Sequence, residues 1–259
     1  MVFDAQVSEP AAAGRSFADL HCHSSASFDS LSSPLALIRN ARRFGLTHLA
    51  ITDHERIDGA LRARDLAAAQ PATAEEPRLT VIVGEEVRTT GGDLIGLFLE
   101  RAVPPGRTPE ATAAAIHEQG GLVGVPHPFD RFRNSGGQAA EREGTLARLA
   151  DSVDFVEIHN ARAMGNANPR AAEFAVREGL PGVAASDAHS PFEVGVAYSM
   201  FPGPFSTAAE LKLLLPQVTL VTGRASYFVR LLTPVYKLVN RSRGNVRFTP
   251  ETFAVETAS

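Results

Sequence analysis

Two short alternating motifs, at opposite ends of a long strand–helix pattern, limit what this chain can fold into. The first apolar run ends in Asp19-Leu20-His21-Cys22-His23-Ser24, and a late one ends in Ser186-Asp187-Ala188-His189. Residues two apart on a strand share a face. His21 and His23 can therefore grip one metal ion, and Asp187 and His189 can close the same site from the far end. A fold that satisfies both pairs must bring its first and last strands together.

Between the motifs, apolar runs alternate with helical patterns. Strands are expected at Phe17–His21, Leu46–Thr52, Leu79–Val87, Asp93–Leu99, Leu122–Pro126, Val153–His159 and Gly182–Ala185, with Val194–Met200 and Val218–Thr222 after them. Helices are expected from Ser33-Pro34 to Gly45, over Gly59–Gln70, from Thr108-Pro109 to Gly120, and over Thr145–Ala150, Pro169–Glu178 and Ser206–Leu215. Strands alternating with helices imply parallel pairing through right-handed crossovers. Six or seven such units in roughly 200 residues favour a closed or nearly closed α/β barrel over a doubly wound sheet.

The 259 residues suffice for one large domain. A net charge of −4 advertises no general nucleic-acid surface, though a local basic groove is compatible with it. The single cysteine, Cys22, allows no internal disulfide and suits a cytoplasmic setting. No run approaches the ~20 apolar residues of a membrane span, so no membrane partner is expected on that ground. Residues 1–15 read as a mobile tail without a signal-peptide pattern. Residues 16–223 read as the barrel, and 224–259 as a C-terminal arm. Within the arm, Tyr227–Val239 is apolar with basic punctuation and Pro234 interrupts it. A helix or extended arm covering the barrel is the favoured reading, a dimer or membrane-surface contact the other. Glu251–Ser259 is expected to be poorly ordered.

The decisive pattern is positional. Every main strand but Asp93–Leu99 ends in a metal-ligand residue type: His21 and His23, Asp53 and His54, Glu85 and Glu86, His127, His159, and Asp187 with His189. Six of the eight histidines lie there. In α/β barrels the carboxyl ends of parallel strands build the active face. One buried histidine after a strand is more often a structural hydrogen-bonder than a ligand, but the whole set would need a separate coincidence at each strand. His48, inside a strand, and His117, inside a helix, read as structural and solvated respectively. Cys22 faces away from its histidine neighbours.

The motifs DLHCHS (19–24), TDH (52–54), GEE (84–86), PHP (126–128), EIHN (157–160) and SDAH (186–189) together resemble the PHP (polymerase and histidinol phosphatase) domain family of metal-dependent phosphoesterases. The resemblance implies a distorted (β/α)7 barrel with two or three divalent metals, Mn, Fe or Zn, at the strand ends. Carried over to this chain, His21, His23, Glu86 and Asp187 would hold one ion. Glu86 would bridge to a second at His127 and His159. Asp29, His54 and His189 would hold a third. An amidohydrolase-type hydrolase and a non-catalytic metal-binding module are the alternatives.

A nitrogen and oxygen ligand set suits such metals. Two ions sharing a carboxylate can turn a shared water into a nucleophile for a phosphate ester. The expected substrate is therefore a small phosphomonoester, a nucleotide or the end of a short oligonucleotide. Asp187, His189 and Asp53 are the candidate proton donors. Arg131, Arg133 and Arg162 are the candidate phosphate contacts, and the Phe129–Glu143 loop is the candidate cover over the substrate.

Overall fold

A computed structural model describes residues 14–70, 78–130 and 139–256. Arg131, Arg133 and the tip of the expected covering loop lie outside these residues. So does most of the expected N-terminal tail.

Nine strands form one sheet: β1 (Ser16–Asp19), β2 (His48–Ile51), β3 (Thr80–Thr89), β4 (Gly92–Leu97), β5 (Leu122–Val125), β6 (Phe155–Asn160), β7 (Gly182–Ala185), β8 (Tyr198–Phe201) and β9 (Thr219–Val221). Their order is β7-β6-β5-β4-β3-β2-β1-β8-β9. The pairs β1–β2, β2–β3, β5–β6 and β6–β7 are parallel. β4 runs antiparallel to both neighbours, because only Thr90 and Gly91 separate it from β3 and no crossover fits there. β8 is antiparallel to β1 and to β9.

Barrel closure happens in two steps along β1. At its start, β1 pairs with β8. Past its end, the chain turns to β7: Asp187 N–H donates to His21 O at 2.8 Å, and His23 N–H donates to Ala188 O at 2.8 Å. Between β7 and β8, Ser199 Oγ fills the gap. It accepts from Ala184 N–H at 2.9 Å and donates to Ala184 O at 3.0 Å. The barrel is thus sealed by main-chain bonds at the end where the ligand residues lie.

Strand alternation separates two cores. Ala18, Ala50, Ile82, Ile95, Leu97, Leu122, Phe155, Val183 and Phe201, drawn from eight strands, fill the barrel interior, and Phe205 and Leu211 plug its lower end. Phe155 lies against Gly124, where a Cβ would sit 2.2 Å from the ring, so only glycine fits opposite it. Truncating this buried ring to Ala would cost about 3–5 kcal/mol. The alternate residues Leu49, Ile51, Val81, Val83, Val123, Val125 and Val156 pack outward with the helices.

Those helices are α1 (Pro34–Arg43), α2 (Asp58–Ala69), α3 (Pro109–His117), α4 (Ala139–Leu149), α5 (Ala167–Glu178) and α6 (Ala208–Leu214). Ser33, Thr108 and Thr207 cap α1, α3 and α6 through their hydroxyls, the first two as their sequence positions imply. α4 is longer than the expected Thr145–Ala150. α7 (Tyr227–Ser242) continues through Pro234 instead of breaking there. α8 (Pro250–Glu256) occupies residues expected to be poorly ordered, and Phe253 is buried beneath it. The segment from α7 to Arg247 lies across the upper end of the barrel. Asn240 Nδ2 donates to Ser27 O and Ser30 O at 3.2 and 2.9 Å, and Asn245 Nδ2 donates to Ala26 O at 3.1 Å.

Candidate metal centre

The strand ends converge on one carboxylate. Glu86 Oε2 lies 3.3 Å from Nε2 of His21, 3.3 Å from Nε2 of His23 and 3.5 Å from Nε2 of His54. Its Oε1 lies 3.3 Å from Nε2 of His127. His21 Nε2 and His23 Nε2 are 3.0 Å apart, as two residues on one face of a strand should be. Asp187 Oδ1 lies 3.6 and 3.5 Å from these two nitrogens. Asp29 Oδ2 completes the group, 3.2 Å from His54 Nε2 and 3.3 Å from His189 Nε2. All of these side chains are buried or nearly so.

Surrounding groups fix these orientations. Glu157 Oε1 lies 2.7 Å from His21 Nδ1, leaving Nε2 aimed at the cluster. Glu157 Oε2 accepts from His127 N–H at 3.0 Å and from Asn160 Nδ2 at 2.9 Å. Asn160 Nδ2 also donates to Asp187 Oδ2 at 3.0 Å. Ser27 Oγ donates to Asp29 Oδ1 at 2.7 Å. His127 and Asp187 both adopt positive φ, 28° and 54°, a conformation costly for residues with a Cβ and typical of strained functional positions.

Electrostatics favours charge separation here. Burial would neutralise Glu86, but His54, His21 and His127 hold its pKa well below the carboxylate range. Burial likewise opposes ionised Asp29, and His54 and His189 overcome it. Burial disfavours a charged His21, yet Glu157 and Glu86 push its pKa up to about 10. The Nδ1 atoms of His23 and His54 are buried with no hydrogen-bond partner among the described residues. The Nε2 atoms of the same rings, which face Glu86, are the ones that could hold a metal. Several sets of three ligand atoms lie within 4.8 Å of one another, including His21–His23–Glu86, His23–Asp187–His189 and His23–Asp29–His54. The residues present therefore fit divalent metal ions.

Two expected site residues, His159 and Asp53, are placed elsewhere, as is the strand-end Glu85. His159 turns off the cluster: a register shift between Glu157 and His159 in the β6–β7 ladder re-aims its ring. The His159 nitrogens instead meet Gly223 O at 2.8 Å and Asn168 Nδ2 at 3.3 Å. Asp53 is fully buried and accepts from Ser24 N–H and Ser24 Oγ, both at 2.6 Å, so it braces the strand-end loop and does not line the cavity. Glu85 points away and accepts from Val103 N–H at 2.7 Å. Arg162 does reach the cavity wall, anchored by Glu193 at 3.1 Å.

Above the cluster lies a cavity of about 310 Å³. Its walls include Phe28, Asp93, Thr233, Lys237 and Arg247, none of which the sequence pattern marks. Asp93 lies in a ligand group with His54 and Glu86. Arg247 bonds Glu55 at 2.8 Å and Asp93 at 3.1 Å. Lys237 and Arg247 stand over the Phe28 ring at 5.1 and 5.7 Å.

Comparison with known proteins agrees with this geometry. An uncharacterised protein of Methanocaldococcus jannaschii is 34% identical over 155 residues, spanning 56% of this chain and 81% of that one. A 5'-3' exoribonuclease of Haemophilus influenzae is 27% identical over 164 residues, 59% of this chain and 55% of that one. In fold, the chain is similar to a two-domain protein of Bacteroides vulgatus containing a predicted PHP-like metal-dependent phosphoesterase. The TM-score is 0.63 at 16% identity, over 81% of this chain and 65% of that one. The PHP-associated family model matches residues 159–212. The PHP domain model matches residues 19–154, the strands that deliver most of the cluster, and the chain belongs to that family.

Proposed function

We propose that the chain hydrolyses phosphate esters with two or three divalent metals held over Glu86. The observation that carries this reading is the convergence of four histidine Nε2 atoms on the two oxygens of Glu86. His21, His23 and Asp187 would hold one ion with Glu86, His127 would share Glu86 with a second, and Asp29, His54 and His189 would hold a third. The donor set suits Mn, Fe or Zn. When bound, such ions supply Lewis acidity toward phosphoryl oxygens and a water activated at neutral pH.

The chain's own residues would orient the substrate. Arg162, Lys237 and Arg247 give the cavity a cationic wall for a phosphate, and Phe28 gives it an apolar face. A cavity of about 310 Å³ is at the small end of ligand pockets, which favours a small phosphomonoester, a nucleotide or an oligonucleotide end over a duplex. The likeness to an exoribonuclease supports the nucleotide members of that group. Among the proton-donor candidates, Asp187 and His189 line the cavity and Asp53 does not. The lone, buried thiol of Cys22 supports a cytoplasmic setting.

Elemental analysis of purified protein should find more than one transition metal per chain. Added Mn should support phosphate release from a panel of phosphomonoesters, nucleotides and short 5'-phosphorylated oligonucleotides. Less than one metal per chain with no phosphoester turned over would defeat the proposal. Turnover of amides alone would move the chain to amidohydrolase chemistry.

A further inference from the structure

α7 carries apolar residues on its outward side as well as on its inward one. An amphipathic helix ordinarily buries its apolar stripe. Here Val229, Leu232, Tyr236 and Val239 are half-buried on the inward side, and polar bonds hold it as well: Asn240 Nδ2 donates to the Ser27 and Ser30 carbonyls, Arg230 Nη2 donates to Ala161 O at 2.9 Å, and Arg162 Nη2 donates to Thr233 Oγ1 at 2.6 Å. Phe228, Leu231, Val235 and Leu238, spaced three and four residues apart, form a stripe that is 72%, 71%, 51% and 69% exposed. By helical geometry Arg241 flanks that stripe, and Arg243 follows at the end of the helix; both are exposed.

Charge decides what the stripe faces. From Ser226 to Arg243 the sequence has Arg230, Lys237, Arg241 and Arg243 and no Asp or Glu, in a chain of net charge −4. Two copies meeting stripe to stripe would bring these cations together, which repels. An anionic bilayer offers what both parts of the helix need: acyl chains for the stripe and phosphates for its flanks. At 16 residues α7 is about 24 Å long, too short to cross a bilayer and suited to lying in its surface. No helix of the described residues is long and apolar enough to span one.

We infer that α7 is an interfacial helix that seats this protein on anionic lipid surfaces. Lys237 of the same helix lines the cavity, so the bound protein presents its metal centre close to the lipid headgroups.

The test is co-sedimentation of the full chain with vesicles of phosphatidylcholine mixed with phosphatidylglycerol, against phosphatidylcholine alone. The wild type should bind the mixed vesicles and be released by salt. Leu231→Glu with Leu238→Glu should lower binding about a hundredfold. Arg241→Gln and Arg243→Gln should each lower it about fivefold. These positions are exposed, so unchanged circular dichroism and metal content would show that each variant folds. Failure of the wild type to bind mixed vesicles at low salt would overturn the inference, as would equal binding to phosphatidylcholine alone. A dimer in sedimentation equilibrium that the double substitution dissociates, with no vesicle binding, would assign the stripe to a second copy. None of these readouts depends on turnover, so the phosphoesterase proposal stands or falls separately.

Discussion

Two of the histidine–carboxylate pairs among the described residues are nearly equal in length and lie at opposite ends of the barrel. His21 Nδ1 meets Glu157 at 2.7 Å at the upper end, and His117 Nε2 meets Asp154 at 2.9 Å at the lower end. Around the first, every polar partner lies inside the protein, and the far nitrogen of the ring points at Glu86, His23 and Asp187. The second is half open, with the His117 side chain 40% exposed. Asp154 there gathers Val123 N–H at 2.8 Å and Lys212 Nζ at 2.7 Å, tying α3, β5 and α6 to the start of β6. A carboxylate beside an imidazole is thus an aiming device when the other ring nitrogen has a destination, and a staple when it does not.

Substitutions that empty the destination should have the largest effect. Asp187→Ala should lower phosphoester turnover about a thousandfold or more and reduce bound metal, because several kcal/mol of transition-state stabilisation go with the ion. Elemental analysis beside steady-state kinetics reads both, with circular dichroism confirming the fold. Next comes the aiming residue: Glu157→Gln keeps the shape but loses the charge that orders His21 and the His127 backbone. Metal affinity measured by titration calorimetry should fall about 10–100-fold. An unchanged affinity would show that the upper pair is a staple too.

The lower pair should respond in stability, not activity. Burial pushes the Asp154 carboxyl up, but the bonds from Lys212, Val123 and His117 hold its pKa below the ordinary value. A folded value below the unfolded one means that ionised Asp154 stabilises the fold above about pH 4, and that this stability is lost as pH falls through the depressed value. Asp154→Asn should therefore cost about 1.5–3 kcal/mol in denaturant melts at neutral pH. The gap to wild type should close in melts below about pH 4. His117→Ala, removing the exposed half, should cost under about 1 kcal/mol in the same melts and leave turnover unchanged.

Strand-end spacing made the cluster largely readable, since alternation alone puts His21 beside His23 and leaves Cys22 on the opposite side, donating to Ala50 O at 3.1 Å. It misled at His159, because a register shift in β6 is invisible to an alternating pattern and Glu157, two residues earlier, was the side chain aimed inward. Asp93, Lys237 and Arg247 were unreadable for another reason. They reach the cavity through an antiparallel hairpin and a C-terminal crossing, which the repeating strand–helix pattern does not encode. The barrel was legible from the alternation, but its antiparallel members were not, since a tight β3–β4 turn leaves the same apolar signal as a crossover strand.

The change of partner along β1 has a consequence for how the protein comes into being. Most of the cluster is translated early, Asp187 and His189 come late, and main-chain bonds joining His21 and His23 to Asp187 and Ala188 connect the two parts. During synthesis the nascent chain therefore carries His21, His23, His54 and Glu86 for most of its length without Asp187 or His189 to complete them. Metal held by the full ligand set would come late in folding, once the seam between the first and seventh strands has closed. Ions bound by Asp187 together with His21 and His23 would clasp that seam. Withdrawing them from the finished protein should loosen first the contact that formed last.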